Sequence, residues 1–168
     1  MSVINYFIFE TTQVDFIVFN SPNRDNQKSI DELNNIVNLN NIKIIFRLCE
    51  PLYDSNNIYN CKIIDMIIED GSFPSSKIIN DYLLNIQNCI KSNNVLNTKT
   101  CIGIHCKAGL GRAPIFAAIG LMNYSSYYDF FDIVKLIRYK IKGSINKVQL
   151  NGLSKYKPKK KSNNCVIC

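Results

Sequence analysis

The stretch that decides the fold is His105-Cys106-Lys107-Ala108-Gly109-Leu110-Gly111-Arg112, which has apolar sequence on both sides. Residues 100–104, which precede it, form a short apolar run that predicts a buried strand. Residues 113–122, which follow it, predict a buried helix that begins close to Pro114. The expected order is therefore strand, tight glycine-bearing loop and helix. Because loop amides and a helix N-terminus both present partial positive charge, this order indicates an anion-binding site.

The residue types within this stretch indicate its chemistry. A cysteine close to helix-terminal amides and a guanidinium is stabilised as a thiolate, so we predict that Cys106 is a nucleophile. Arg112 offers a planar fork to two phosphate oxygens, and Gly109 and Gly111 let the backbone approach the phosphate closely. Histidine, cysteine, five residues and arginine at this spacing are typical of cysteine-dependent phosphatases. The residues predicted to bind phosphate are Lys107, Ala108, Gly109, Leu110, Gly111 and Arg112.

The composition indicates a single globular domain. The chain has 168 residues, 46% of them hydrophobic, which is enough for a core of its own. It contains no apolar run of the length that crosses a membrane, and its first residues do not resemble a secretory signal. The seven cysteines are scattered without metal-ligand spacing. We therefore expect a reducing, intracellular environment, no disulfide framework, no metal site and no cofactor.

The net charge of +7 is concentrated at the C-terminal end. Residues 1–132 contain ten Lys and Arg residues and all thirteen Asp and Glu residues, whereas residues 133–168 contain the other ten basic residues and no acid. Nucleic acid is not an expected partner, because Tyr156 is the only residue of the lysine cluster that could stack on a base.

The last residues combine two signals for membrane attachment. A lysine-rich segment at residues 155–161 is followed by Cys165-Val166-Ile167-Cys168, which has the form of a prenylation signal on Cys165. A single prenyl chain binds reversibly, and lysines close to an anionic leaflet strengthen that binding. The expected location is the cytoplasmic face of plasma or endosomal membranes, or the cytosol if the chain is not prenylated. The alternative is a lysine-rich tail that ends in cysteine by chance.

The other segments predict an α/β sandwich with a mostly parallel sheet, because strands and helices alternate after an N-terminal antiparallel pair. The predicted strands are residues 3–9, 14–19, 42–48, 61–68 and 100–104. The predicted helices are residues 27–39, 76–91, 113–122, 127–139 and 147–155.

Cleavage of a phosphate ester needs a second group, since the leaving oxygen departs slowly unless it is protonated. Asp70 is the best candidate for this acid, in the Glu69-Asp70-Gly71 turn that follows a predicted strand. The carboxyl ends of parallel strands share one edge of a sheet, which brings this turn towards the cysteine loop. The alternative is that Glu69 and Asp70 are ordinary turn acids.

Two further residues have a predicted role and an open alternative. Cys49 ends a predicted inner strand and Cys106 follows another, so the two sulfurs could lie within bonding range and form a reversible disulfide. Otherwise Cys49 is a small buried hydrophobe. His105, the only histidine, is expected to orient the loop through its ring nitrogens, with catalytic proton transfer as the alternative.

From about Val14 to its end, the chain resembles the phosphatases of regenerating liver, which are small prenylated dual-specificity phosphatases. The resemblance implies a cysteine-dependent phosphatase fold with a five-stranded sheet flanked by helices. It implies a dual-specificity phosphatase-like domain at residues 1–156 and a polybasic tail at residues 157–168. It also implies Cys106 as nucleophile, Arg112 as phosphate binder, Asp70 as general acid and Cys49 as redox partner of Cys106. The likeness rests on Arg47-Leu48-Cys49-Glu50, Glu69-Asp70-Gly71, Ala108-Gly109-Leu110-Gly111-Arg112-Ala113-Pro114 and Lys155-Tyr156 with Pro158-Lys159.

The resemblance also carries expectations about rate and partners. Ala113 stands where most related phosphatases carry serine or threonine, which implies slow turnover and an accumulating cysteinyl-phosphate. Met66-Ile67-Ile68 stands where the family has Trp-Pro-Phe, so the acid turn should pack differently. The family binds magnesium-transport regulators of the CNNM type, which makes a similar partner an expectation, and self-association is left open.

Three functions are consistent with these observations. The first is a membrane-anchored protein tyrosine or dual-specificity phosphatase. The second is a phosphoinositide phosphatase, because Cys106-Lys107-Ala108-Gly109 resembles the loop of lipid phosphatases, although Leu110 stands where those place a second lysine. The third is a partner-binding pseudo-phosphatase with a vestigial site.

Overall fold

The computed structural model describes residues 4–23, 26–94, 99–126 and 129–158. Within these ranges the chain forms a five-stranded sheet with helices on both faces. The strands are β1 (Tyr6–Phe9), β2 (Val14–Asn20), β3 (Ile42–Arg47), β4 (Lys62–Asp65) and β5 (Thr100–Cys106). The helices are α1 (Gln27–Leu39), α2 (Ser76–Asn94), α3 (Arg112–Tyr124), α4 (Phe130–Lys140) and α5 (Lys147–Lys155), with a short 3-10 turn at Ser55–Asn57.

The sheet confirms the predicted mostly parallel α/β fold. Its strand order is β1-β2-β5-β3-β4, and each neighbouring pair is parallel except β1 with β2. The strands β2, β5 and β3 therefore point the same way and end at one edge of the sheet. Asn20 is paired with Cys106 there, and the Leu48 amide donates to the His105 carbonyl at 2.9 Å. The ends of three strands thus meet where the cysteine loop begins.

Two hydrophobic clusters cover the two faces of the sheet. Alternate residues of β2 point to opposite faces, so that Phe16 lies in one cluster and Ile17 in the other. The helix α1 packs on the Ile17 side, and the helices α2 to α5 pack on the Phe16 side. The helix α3 is buried from Arg112 to Leu121, which confirms the predicted buried helix after the cysteine loop.

Some boundaries differ from those predicted. The strand β4 ends at Asp65 and not at residue 68, although the Met66 amide still donates to the Arg47 carbonyl at 2.9 Å. The helix α4 begins at Phe130 and not at residue 127, because the Asp129 side chain caps it by accepting from the Asp132 amide at 2.9 Å. The described helices include none with both the length and the hydropathy needed to span a bilayer.

Candidate active site

The loop between β5 and α3, residues 107–111, is here called the signature loop. Cys106 is the last residue of β5, and only 2% of its surface is exposed. The carbonyls of Cys106 and Lys107 accept from the Ser21 amide at 2.9 and 3.2 Å, which fastens the start of the loop to the end of β2. In the described part of the chain, the five loop amides donate to no protein acceptor. Backbone donors that have no protein partner and directly follow a cysteine form an anion-binding site beside that cysteine.

Gly109 lets the signature loop lie directly on the end of β2. Its φ is +73°, and a Cβ atom at this position would be 3.1 Å from backbone atoms of Phe19 and Asn20. Any other L-residue would be strained by the left-handed conformation and would press on the backbone of β2. The sequence predicts that this glycine lets the backbone approach a phosphate, and the structure shows a second constraint on it, the close approach of the loop to β2.

Arg112, the first residue of α3, is buried at the other end of the signature loop. Its Nη1 donates to the carbonyls of Leu48 at 3.3 Å and Ile68 at 3.2 Å. Its Nε forms an ion pair with Oδ1 of Asp70 at 3.2 Å and donates no hydrogen bond to the described residues. Two carbonyls thus fix the guanidinium while its Nε side stays available for phosphate oxygens.

Asp70 lies on residues 69–72, here called the acid loop, which follow the extended chain after β4. The Asp70 side chain is 81% exposed and points to Arg112, so the structure brings the predicted acid to the predicted phosphate ligand. The loop is a tight turn in which the Ser72 amide and hydroxyl donate to the Glu69 carbonyl at 3.3 and 2.7 Å. Gly71 has a φ of +75°, which completes the turn.

The N-terminus of α5 holds the acid loop. The Asn146 amide group donates to the Gly71 carbonyl at 3.0 Å, and the Gln149 amide group donates to the Ser72 carbonyl at 3.4 Å. The same two residues form a capping box, in which each side chain accepts from the other residue's backbone amide. The Phe73 ring lies over Gly152, where a Cβ atom would be 2.2 Å from the ring. Sequence reasoning did not assign this role to α5, although an asparagine and a glutamine three residues apart before a predicted helix are a visible signal.

Ile145, two residues before α5, holds the signature loop in turn. Ile145 has a φ of +61°, which is strained for a β-branched residue and costs roughly 1–3 kcal/mol. Its amide donates to the Leu110 carbonyl at 3.3 Å, and its carbonyl accepts from Nη2 of Arg138 at 2.8 Å. The segment from Ile145 to Gln149 therefore touches both loops of the site.

Cys49 lies two residues after the end of β3, and β3 pairs with β5, the strand that ends at Cys106. It is 2% exposed, and its thiol is close enough to Cys106 and Arg112 to be affected by their charges. Burial raises the pKa of the Cys49 thiol, which Arg112 opposes and Cys106 reinforces. Both cysteines are free thiols in this structure.

His105 lies on the other side of β5 and is fully buried. Its Nε2 is 2.9 Å from the Tyr53 hydroxyl, and its ring stacks on Phe19 with centroids 5.2 Å apart. Burial, together with the charge of Arg47, lowers the pKa of His105 to about 3. These contacts fit the predicted orienting role, because a neutral ring held by a tyrosine is poorly placed to move protons for the substrate.

Proteins of similar sequence identify the family. No model of a protein family matches the chain. The chain is 34% identical over 158 residues to the probable protein tyrosine phosphatase type IVA A of Dictyostelium discoideum, covering 92% of this chain and 89% of that protein. The chain belongs to the protein tyrosine phosphatase type IVA family. It is also 35% identical over 122 residues to the PRL-1 phosphatase of Drosophila melanogaster, covering 71% of this chain and 66% of the relative. The recognition of a phosphatase of regenerating liver is thus confirmed.

Solved structures of protein phosphatases share the fold of this chain. A protein tyrosine phosphatase from Leishmania major superposes with a TM-score of 0.79 at 25% identity, covering 91% of this chain and 99% of that chain. Kinase-associated phosphatase, at 19% identity, superposes with a TM-score of 0.69 over 90% of this chain and 93% of its own, which shows the shared fold. The alignments with the Drosophila relative and with mouse protein tyrosine phosphatase type IVA 3 span 66% and 65% of those proteins.

The predicted lipidation site, Cys165, lies outside the described residues, as do Lys159, Lys160 and Lys161 of the lysine cluster. The structure describes the chain as far as residue 158, shortly after the end of α5. The prenylation and membrane predictions therefore remain predictions.

Proposed function

We propose that this type IVA phosphatase hydrolyses phosphate monoesters on protein tyrosine residues through a cysteinyl-phosphate intermediate. One observation carries this proposal: the signature loop holds five amides without a protein acceptor between Cys106 and Arg112. A phosphate dianion supplies the acceptors that these donors lack, and it arrives next to the sulfur.

The first step transfers the phosphoryl group to the enzyme. The Cys106 thiolate attacks phosphorus, a sulfur–phosphorus bond forms, and the bond from phosphorus to the ester oxygen breaks. Asp70 donates its proton to that leaving oxygen, which departs as a neutral hydroxyl. The loop amides and Arg112 stabilise the negative charge on the three equatorial oxygens.

The second step releases inorganic phosphate. Water attacks phosphorus, the Asp70 carboxylate takes a proton from that water, and Cys106 leaves as a thiolate. Ala113, which is fully buried, has no hydroxyl to donate to the departing sulfur. We therefore propose that this step is slow and that the cysteinyl-phosphate accumulates.

We further propose that Cys49 protects the nucleophile from oxidation. Hydrogen peroxide would oxidise the Cys106 thiolate to a sulfenic acid, and the Cys49 sulfur would displace the hydroxyl as water to form a disulfide. The neighbouring ends of β3 and β5 and the effect of Cys106 on the pKa of the Cys49 thiol support this pairing. Reduction by a cellular dithiol would return both thiols.

The location and partners form part of the same proposal. A dual-specificity phosphatase domain, residues 1–156, is attached through a prenyl group on Cys165 and the lysines of residues 157–168 to an anionic cytoplasmic leaflet. The concentration of basic residues after residue 132 supports this arrangement. A magnesium-transport regulator of the CNNM type is the proposed protein partner. The alternative functions are a phosphoinositide phosphatase and a partner-binding pseudo-phosphatase.

The test compares the unmodified chain with Cys106→Ser on a chromogenic aryl phosphate, on phosphotyrosine peptides and on phosphoinositides in vesicles. We expect turnover of the aryl phosphate and the peptide, a burst of product in the first turnover, and no turnover by Cys106→Ser. Equal rates for the two proteins would make the chain a pseudo-phosphatase. A clear preference for the vesicle substrate would favour the lipid phosphatase.

A further inference from the structure

A groove runs between α4 and α5, here called the α4–α5 groove. Both helices pack on α3, and the space between them has a volume of about 860 Å³. Residues 147, 150, 151 and 154 line it on α5, which is the spacing of one helix face, and residues between 130 and 139 line it on α4. The groove therefore follows α4 for about 13 Å and α5 for about 10 Å.

Aromatic and aliphatic side chains form the apolar part of the α4–α5 groove. Phe131 and Tyr139 are 76% and 81% exposed, although both line the groove. The Phe130 and Phe131 rings lie edge to face with centroids 5.1 Å apart, and Leu150 contributes from α5. Because these side chains share one groove, they form a patch, which is typical of an interaction surface and differs from singly scattered exposed residues.

The same groove is basic. Lys135, Arg138 and Lys147 line it, whereas Asp132, the only acid of α4, does not. The Arg138 side chain is fixed, since its Nη2 donates to the Ile145 carbonyl at 2.8 Å. Lys135 and Lys147 are exposed, and neither forms an ion pair with another described residue. An apolar groove with three cations and no acid is complementary to an apolar ligand that carries negative charge.

We propose that the α4–α5 groove binds an acidic amphipathic helix of a partner protein. The apolar face of that helix would cover Phe131 and Leu150, and its carboxylates would pair with Lys135 and Lys147. Two helices that leave a groove between them offer ridges on which a third helix can pack. The proposal does not depend on the proposed function, because neither Cys106 nor any residue of the signature loop lines this groove.

Charge and shape favour this ligand over two others. The end of this chain has the wrong charge, since residues 133–168 contain ten basic residues and no acid and would be repelled by the groove. A bilayer has the wrong shape, because it presents a broad surface to protruding side chains, whereas Val134 lines the groove and is only 7% exposed. A helix can place a row of side chains into such a recess.

The experiment measures the binding of three labelled peptides to the full chain by fluorescence anisotropy. Each has about 15 residues, enough for an isolated helix to form in part. The first has leucine on one face, glutamate beside it and glutamine elsewhere; the second has lysine in place of glutamate; the third has the residues of the first in an order without an apolar face. At about 150 mM salt we expect the first to bind about tenfold more tightly than either of the others, which three exposed ion pairs can provide.

A charge reversal tests the basic side of the groove. Lys147→Glu should weaken binding of the glutamate peptide about fivefold and strengthen binding of the lysine peptide, whereas a folding defect would weaken both. Lys28→Glu is the matched control, because Lys28 is also an exposed lysine in the first turn of a helix, but α1 lies on the other face of the sheet. It should change neither affinity.

An aromatic replacement tests the apolar side. Phe131→Ser should weaken binding of the glutamate peptide about tenfold, as the loss of an aromatic anchor does. Leu39→Ser is the matched control, since Leu39 is 77% exposed at the end of α1, and it should have no effect. Cys106→Ser should bind the peptide like the unmodified chain, so a failure of the proposed phosphatase activity would leave this result unchanged.

Four results would overturn the proposal. Equal binding of the three peptides would show that the groove selects neither charge nor helical pattern, and equal effects of each variant and its control would place the binding elsewhere. If the glutamate peptide does not bind but Phe131→Ser abolishes binding to anionic phospholipid vesicles, the groove contacts a membrane. If Phe131→Ser abolishes self-association in sedimentation experiments, the groove is covered by a second copy of the chain.

Discussion

The signature loop and the acid loop serve one site but are held in different ways. Backbone contacts fix the signature loop, through the ends of β2 and β5 and the start of α3. Side chains at the N-terminus of α5 fix the acid loop, with Asn146 and Gln149 as donors. Cys106 is almost fully buried, whereas the Asp70 side chain is 81% exposed.

This difference indicates how each loop should respond to mutation. The position of a loop held by its backbone depends on backbone conformation and on the space around it. A methyl group added to a glycine of such a loop should therefore lower activity more than the loss of a polar side chain would. A loop held by side chains depends on individual hydrogen bonds, which each contribute about 1 kcal/mol.

The largest effect should come from Asp70→Ala. Removal of a general acid typically costs 10²–10⁴-fold, so we expect about a 10³-fold lower kcat/KM with phenyl phosphate, whose leaving group needs a proton in the first step. The loss should be much smaller with a nitrophenyl phosphate, whose leaving group departs readily. Steady-state kinetics with both substrates would show the difference. Glu69→Ala, at the adjacent carboxylate, is the control, and an equal loss there would show that Asp70 acts only through loop charge.

The second effect should come from Gly109→Ala in the signature loop. The methyl group meets the backbone of Phe19 and Asn20 at 3.1 Å, and it strains a residue with a φ of +73°. Displacement of the loop amides should lower kcat/KM about 100-fold, in line with the cost of a misplacement of about 1 Å.

Gly143→Ala is the matched control for this glycine. Gly143 has a φ of +77°, and a Cβ atom there would meet nothing within 4 Å. The substitution should lower the free energy of unfolding by about 1–2 kcal/mol through backbone strain alone, and it should leave kcat/KM almost unchanged. If both variants lose the same activity, strain alone and not the position of the loop explains the loss.

A smaller effect should come from Asn146→Ala, which removes one hydrogen bond to the acid loop. A loss of about 1 kcal/mol in the stabilisation of the first transition state by Asp70 corresponds to about a fivefold lower kcat/KM. The effect should again be greater for phenyl phosphate than for the nitrophenyl ester, which a general loss of stability would not produce. Asn151→Ala, on the same helix, is the control. The idea is wrong if the two substrates lose equally.

The smallest effect concerns His105, which directly precedes the nucleophile Cys106. The folded chain keeps His105 neutral because its pKa is about 3, whereas the unfolded chain binds a proton below the ordinary value of 6.5. The unfolded state thus binds more protons between these values, so stability should fall with falling pH, by about 1 kcal/mol per unit below pH 6. Asp65, whose pKa is lowered by its bond to Arg47, contributes only below its ordinary value of 3.8.

Urea unfolding at several pH values between 5 and 7 would measure this dependence. His105 is the only histidine in the chain, so His105→Gln should flatten the dependence over that interval even if it lowers stability overall. An unchanged slope in this variant would show that His105 titrates normally in the folded chain.

The sequence alone determined the elements that depend on short stretches of chain. The helices α1 and α5 begin and end at the predicted residues, because each pattern of apolar and capping residues is contained within the element. The signature loop was also predictable, since a strand, eight consecutive residues and a helix carry all of its features. The start of α4 was predicted three residues too early, because the capping Asp129 was not recognised.

The tertiary structure decided what brings distant segments together. Asn146 donates a hydrogen bond to Gly71, which lies 75 residues earlier in the chain. No local sequence pattern predicts which turn the side chains of a capping box will contact. The segment after β3, which carries Cys49, is brought towards Cys106 because β3 pairs with β5, and a strand order is a property of the whole sheet. A cavity of about 540 Å³ likewise combines Lys107, Lys140 and Lys142 with residues of β1 and β2. Local chemistry follows from local sequence, whereas the pairing of loops follows from long-range packing, which single stretches of chain do not encode.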